Sequence, residues 1–188
     1  MTMTVPEVKL LTAEDLLRLY SKGVRGELIR GVLCKTMPSG GEHGETVANL
    51  VIALGQFVRP RRLGRLAASD SGVLLERSPD TVREPDIAFF SADRIPLGVR
   101  VTGYYEEVPD IVVEVASPSD SVRVVNDKAR MWLSYGAGLV WVLRPNTRSV
   151  DVHSQSGATV TLTNDDTLNG GDVLPGFECS LSDIFDLE

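Results

Sequence analysis

Two carboxylates and one lysine are the residues of this chain whose types and spacing could carry out hydrolysis. Asp86 follows a proline and opens the segment DIAFF, which is typical of a β-strand. Glu114 lies within the β-branched run DIVVEV, and Lys128 follows in a helical segment. If the two strands are neighbours, both carboxylates can lie on one face of a sheet. Their repulsion would then raise one pKa unless a cation binds both.

Magnesium is the cation that suits such a pair. Mg²⁺ prefers oxygen ligands, keeps several waters and usually takes one or two protein carboxylates, here Asp86 and Glu114. A backbone carbonyl next to Glu114, that of Val115, could supply a further ligand. A metal in this position polarises a phosphodiester and lowers the pKa of a bound water. Lys128 could orient the attacking water or stabilise transition-state charge. The set predicts phosphodiester hydrolysis with Mg²⁺ or Mn²⁺ as the cofactor.

Lys128 occupies an unexpected position in the helical pattern. The predicted apolar stripe of this helix consists of Val124, Lys128, Met131 or Trp132, and Tyr135. Lysine is rarely buried without a partner. A structural pair between Glu114 and Lys128, or an amine that extends to the rim of the helix, would explain this position without catalysis. The residues alone leave both interpretations open.

His43 is a further candidate, at the start of a helix predicted over residues 43–58. The apolar stripe of that helix comprises Val47, Leu50, Val51, Leu54, Phe57 and Val58. His43 extends the stripe at the first turn, where a histidine acts as a helix cap, a core residue or a functional group. Two acids rank below it. Glu27 can be an ordinary hairpin residue, and Glu45 can complement the helix dipole.

The remaining pattern predicts one α/β domain over residues 1–188. A capping pattern at Thr12 and Asp15 opens a short helix over residues 11–20. Strands are predicted at residues 27–29, 32–37, 65–69, 72–75, 86–90, 99–104, 110–115, 139–143, 149–153 and 159–163. The first two of these strands form an antiparallel hairpin, the last two begin a C-terminal meander, and a short helix ends the chain. No repeat or linker interrupts the pattern.

Composition and charge exclude some classes of protein and weigh against others. The 188 residues are 43% hydrophobic, with apolar runs too short to span a membrane. The N-terminus lacks a secretory signal, and Cys34 and Cys179 have no metal-ligand spacing, so a cytoplasmic chain is expected. The net charge of −7 contrasts with the basic surfaces of most nucleic-acid binders. The one dense basic cluster, at residues 59–65, could contact phosphates or complement a helix dipole.

The motifs around these residues resemble those of the Uma-two family, a large bacterial family of endonucleases with the restriction-endonuclease-like PD-(D/E)xK fold. The resemblance covers nearly the whole chain and implies an α/β (α+β) fold with a mixed central sheet flanked by helices. Its motifs here are LTAEDLLRL, Gly26-Glu27-Leu28, His43-Gly44, Pro85-Asp86, Glu114-Val115-Ala116-Ser117-Pro118-Ser119-Asp120, Lys128, Trp141 and Leu174-Pro175-Gly176-Phe177. The resemblance implies that Asp86 and Glu114 are metal ligands and that Lys128 is the superfamily's lysine. His43 also matches a family position. Ala116 stands where the lysine of Glu-x-Lys would fall, which implies that the lysine has moved to the helix.

These residues favour a metal-dependent endonuclease whose partner is DNA. A homodimer with two symmetric sites could cut both strands of a duplex. Two alternatives stay open. A non-catalytic module for nucleic-acid binding or assembly would fit the acidic charge, and a hydrolase of small phosphorylated or nucleotide substrates would show no salt-dependent DNA affinity.

Overall fold

A six-stranded mixed sheet forms the centre of the protein, in a computed structural model that describes residues 9–69, 71–118, 120–163 and 165–186. In spatial order its strands are β10 (Thr159–Leu162), β9 (Ser149–Ser154), β8 (Leu139–Arg144), β7 (Ile111–Val115), β6 (Ile87–Ser91) and β3 (Gly64–Ala68). β7 and β8 are parallel and are joined by helix α3 (Val122–Ser134), and every other neighbouring pair is antiparallel. A mixed central sheet is therefore confirmed.

Helices cover both faces of this sheet because β7 is apolar on both sides. Ile111, Val113 and Val115 belong to the core that contains the buried face of α2 (Gly41–Arg61). Val112, on the opposite face, belongs to the core that contains the buried face of α3. The alternation of side chains along β7 places Glu114, two residues after Val112, on the α3 side.

A second, antiparallel sheet contains the N-terminal hairpin. Its order is β2 (Val32–Lys35), β1 (Gly26–Ile29), β5 (Thr81–Arg83) and β4 (Val73–Glu76). The helix α1 (Ala13–Tyr20) packs on it through Ala13 and Leu16, and the predicted capping box of Thr12 and Asp15 is present. This sheet brings the N-terminal hairpin to the start of β6, because only three residues separate the end of β5 from that start.

Several predicted elements differ from the structure. Asp86 lies in a bend before β6 rather than in the strand, since Pro85 before it has no N–H for a ladder. The strand predicted at residues 99–104 is absent, and Tyr105 makes one isolated bridge with Val73. The meander is followed by a hairpin of β11 (Thr167–Gly170) and β12 (Leu174–Ser180), which the sequence did not predict; the predicted final helix is α4 (Leu181–Phe185).

The buried stripe of α3 is displaced by one residue from the prediction. Val125, Ala129 and Trp132 are buried, whereas Val124 is 59% exposed. Both series have helical spacing and share Trp132, so periodicity alone could not separate them. Lys128 consequently lies at the edge of the stripe and not in its centre. Among the described residues, no helix is both long and apolar enough to cross a bilayer.

Candidate active site

The predicted site residues meet where β7 ends and β6 begins. These strands are antiparallel, with Ile87 opposite Val113, so the bend at Asp86 lies beside the end of β7. The backbone N–H of Val115 donates a hydrogen bond of 2.7 Å to Oδ2 of Asp86. One cavity of about 860 Å³ is lined by all five predicted residues, namely His43, Asp86, Glu114, Val115 and Lys128.

Glu114 is the most buried carboxylate of this cavity and is held by two donors from α3. Its Oε2 lies 2.6 Å from Nζ of Lys128, and its Oε1 accepts a hydrogen bond of 2.7 Å from Nε1 of Trp132. Lys128 and Trp132 are four residues apart, so one face of the helix presents both donors. Burial raises the pKa of Glu114 to about 7; the charge of Lys128 opposes this rise, and that of Asp86 adds to it.

Lys128 lies between two acids. Its Nζ is 3.8 Å from Oε1 of Glu27, in addition to its closer contact with Glu114. Burial by itself lowers the pKa of Lys128, but the charges of Glu114 and Glu27 outweigh it and raise the pKa above its usual value. Lys128 therefore stays positively charged at the centre of the site.

His43 approaches Asp86 from the other helix layer. Its Nε2 lies 3.3 Å from Oδ1 of Asp86, and its side chain is 14% exposed. The hydrogen bond to Asp86 raises the pKa of His43, in opposition to burial. Asp86 is thus held on one oxygen by α2 and on the other by the backbone of β7. The candidate Glu45 is exposed and does not line the cavity.

Three residues near the site had no predicted role or a lower rank. Glu27 on β1 is 8% exposed, and its Oε1 lies 3.1 Å from Nε of Arg83 and accepts the N–H of Glu84 at 2.9 Å. An acid next to the apolar pair Leu28-Ile29 in the hairpin was the available signal for Glu27. Trp132 could have been identified from its position one turn after Lys128. Nothing in the local sequence marks Arg83, because its partner lies on a strand more than fifty residues away.

The oxygen donors of the cavity fit a magnesium ion better than a transition metal. Among the described residues, no three His, Cys, Asp or Glu side chains are grouped closely enough to hold a metal by themselves. Asp86 and Glu114 supply two carboxylates, and Val115 lines the same cavity. This number of protein oxygens suits Mg²⁺, which usually keeps several waters. A cation here would also offset the charge by which Asp86 raises the pKa of Glu114.

Comparison with known proteins identifies the family and the fold of this chain. The model of the Uma2 (Uma-two) family, described as "Putative restriction endonuclease", matches residues 13–182. Five chains among solved structures match, including one described as "a putative nuclease belonging to DUF820" from Anabaena variabilis. That structure superimposes on this protein with a TM-score of 0.79 and is 22% identical in sequence. The match covers 93% of this chain and 97% of the other chain, and it establishes the fold. No curated protein matches.

Proposed function

The chain belongs to the Uma2 family, and on this premise we propose that it is a metal-dependent endonuclease that hydrolyses phosphodiester bonds of DNA. The observation that carries the proposal is the convergence of Asp86, Glu114 and Lys128 in one cavity. Two acids and a lysine come from a bend, a strand and a helix that are separate in sequence. The family membership and the likeness of fold support the same chemistry.

Each residue has a distinct part in the proposed reaction. Asp86 and Glu114, with the carbonyl of Val115, would hold Mg²⁺ or Mn²⁺, which would polarise the phosphodiester and lower the pKa of a bound water. Lys128 would stabilise negative charge that develops on the phosphoryl oxygens. His43, through its hydrogen bond to Oδ1 of Asp86, would hold that carboxylate in place and add positive charge when protonated.

A non-catalytic nucleic-acid-binding or assembly module is the second candidate. The observation in its favour is that both oxygens of Glu114 already have donors, Lys128 and Trp132. A buried ion pair that is fully hydrogen-bonded can persist for structural reasons alone. The net charge of −7 favours the assembly form of this module, which needs no extensive phosphate contact.

Metal binding and DNA cleavage separate these two functions. We expect calorimetric titration to show that the wild type binds Mg²⁺ and Mn²⁺, and a supercoiled plasmid to be cut. Glu114→Gln should lose both properties because it removes a carboxylate ligand. Lys128→Ala should bind metal but lose about 10²-fold or more in cleavage rate, the typical loss for one electrostatic stabiliser.

The matched control is Glu45→Gln, which removes an exposed acid outside the cavity and should preserve both properties. Absence of divalent-ion binding to the wild type at millimolar concentration would show that the carboxylates are structural, and would favour the non-catalytic module. The ratio of nicked to linear plasmid over time also tests the proposed homodimer, because two coordinated sites convert supercoiled plasmid directly into the linear form.

A further inference from the structure

Lys128 is positioned between carboxylates from two different sheets. Its Nζ lies 2.6 Å from Oε2 of Glu114 on β7 and 3.8 Å from Oε1 of Glu27 on β1. Both acids are buried, at 4% and 8% exposure, so neither charge is strongly screened by solvent. The side chain of Lys128 itself keeps 26% exposure and has four rotatable carbons. The ammonium can therefore exchange between two nearby acceptors.

The close contact with Glu114 opposes the binding of a divalent cation by that carboxylate. An ammonium at 2.6 Å already neutralises the negative charge that would attract the metal. A metal on the same carboxylate would lie next to this positive charge, and like charges repel strongly where solvent is scarce. The ammonium must move away from Glu114, or the metal must bind weakly.

Glu27 is suited to receive the ammonium. The N–H of Glu84 and Nε of Arg83 hold its Oε1 at 2.9 and 3.1 Å, so the acceptor is already in position. A carboxylate has about four acceptor sites, which leaves room for Lys128 as well. Glu27 belongs to the other sheet, so a shift of Nζ toward it leads away from Glu114.

We propose that Lys128 is an internal cation that neutralises Glu114 until a divalent metal binds, and that it then moves to Glu27. Glu27 is thereby a positioning residue: it sets the affinity for Mg²⁺ through Lys128 and does not bind the metal. This inference rests on the proposed function, because it requires Glu114 to be a metal ligand.

A double-mutant cycle on metal affinity tests this inference without any measurement of cleavage. Calorimetry with Mg²⁺ is carried out on the wild type, Glu27→Gln, Lys128→Met and the double variant. We expect Lys128→Met to bind Mg²⁺ more tightly, because the competing charge is gone. Glu27→Gln should bind about tenfold more weakly, because the ammonium has lost its second acceptor. In the Lys128→Met background, Glu27→Gln should have no effect on affinity.

Other roles of Glu27 predict different results in the double-mutant cycle. If Glu27 is itself a metal ligand, or acts only by its negative charge, Glu27→Gln weakens binding by the same factor with and without Lys128. That additive result overturns the inference and leaves the proposed function standing. If the wild type binds no Mg²⁺, the proposed function and the inference both fail.

Two further measurements guard against a structural effect. Glu27→Gln removes a charge next to Arg83, so thermal unfolding of every variant is recorded. If the Glu27→Gln protein does not fold, Glu27→Asp takes its place in the cycle. The ¹⁵Nζ resonances of the lysine side chains, measured by NMR, report the movement of the Lys128 ammonium directly. Addition of Mg²⁺ should shift the Lys128 signal in the wild type, and the shift should be smaller in the Glu27 variant. Equal shifts in the two proteins would contradict the movement.

Discussion

At the scale of single residues, the two histidines of the chain lie in opposite electrostatic environments. His43 pairs with Asp86, and this hydrogen bond raises its pKa. His153 on β9 is 6% exposed, and burial lowers its pKa. Its Nδ1 lies 3.1 Å from Oγ1 of Thr159, and its Nε2 has no hydrogen-bond partner among the described residues. Protonation of His153 would thus bury a charge and an unpaired N–H donor.

This contrast predicts opposite effects of pH on stability. Because the pKa of His153 is lowered in the folded protein, the unfolded chain binds a proton at this residue at a higher pH than the folded protein does. Proton binding therefore favours the unfolded chain, and stability is lost as the pH falls below about 6.5. His153→Gln should therefore reduce the loss of unfolding free energy between pH 7.5 and pH 5.5, measured by urea denaturation.

His43→Gln is the matched control for this prediction. The raised pKa of His43 gives a contribution that is present at low pH and lost as the pH rises through the folded-state value. Its removal should make the loss of stability on acidification larger. If the His153 variant loses as much unfolding free energy on acidification as the wild type, or more, the buried environment assigned to His153 is contradicted.

At the scale of elements, a buried acid holds the first helix to its sheet. Asp80 is 6% exposed and is the last residue of the turn between β4 and β5. Its Oδ2 accepts the N–H of Ala13 at 2.7 Å, and its Oδ1 accepts the N–H of Ser78 at 3.1 Å. A carboxylate from a distant turn therefore satisfies one of the free N–H groups at the start of α1.

Asp80→Asn should weaken this attachment. The amide has one oxygen and no charge, so one of the two N–H donors loses its acceptor and the ion pair with Arg77 is lost. We expect a decrease of about 1–3 kcal/mol in the free energy of unfolding, the usual cost of a donor left without its acceptor. Chemical denaturation measures it, with the exposed Asp165→Asn as the control. A change within about 0.5 kcal/mol, typical of a surface position, would contradict this role.

At the scale of the whole molecule, two groups of basic side chains differ in their access to the cavity. Arg25 and Lys35 are exposed and line the cavity near His43. Arg59 and Arg62, from the basic cluster, lie at the C-terminal end of α2. At 1.5 Å per residue, this end is about 27 Å from His43. The geometry gives the basic cluster no direct access to the cavity. Arg61 of the same cluster packs over the ring of Phe57.

DNA affinity should therefore depend on the residues near the cavity. The double variant Arg25→Gln with Lys35→Gln should bind DNA more weakly and reduce the slope of log K against log salt by about two. The control, Arg59→Gln with Arg62→Gln, should leave the slope nearly unchanged. Filter binding at several salt concentrations measures both. Affinity of the wild type that is independent of salt would instead favour a hydrolase of small phosphorylated substrates.

The sequence determined what depends on local patterns. The capping box of α1, the two-sided apolar strand β7 and the long amphipathic helix α2 were predictable, because each is specified by neighbouring residues. The prediction that residues 1–188 form one domain stays a prediction, and cooperative unfolding would support it. The motif residues Asp86, Glu114 and Lys128 could also be selected from the sequence, by residue type and by family resemblance.

The tertiary structure decided which of these residues meet and what holds them. The register of β6 against β7 places Asp86 beside Val115, and the rotation of α3 directs Lys128 and Trp132 to Glu114. A rotation by one residue preserves helical periodicity, so spacing alone did not select the buried face, although Val125, Ala129 and Trp132 form the series without a charged residue. Glu27 and Arg83 are brought to the site by pairing between strands distant in sequence. Long-range pairing depends on the packing of the whole chain, and local sequence does not encode it.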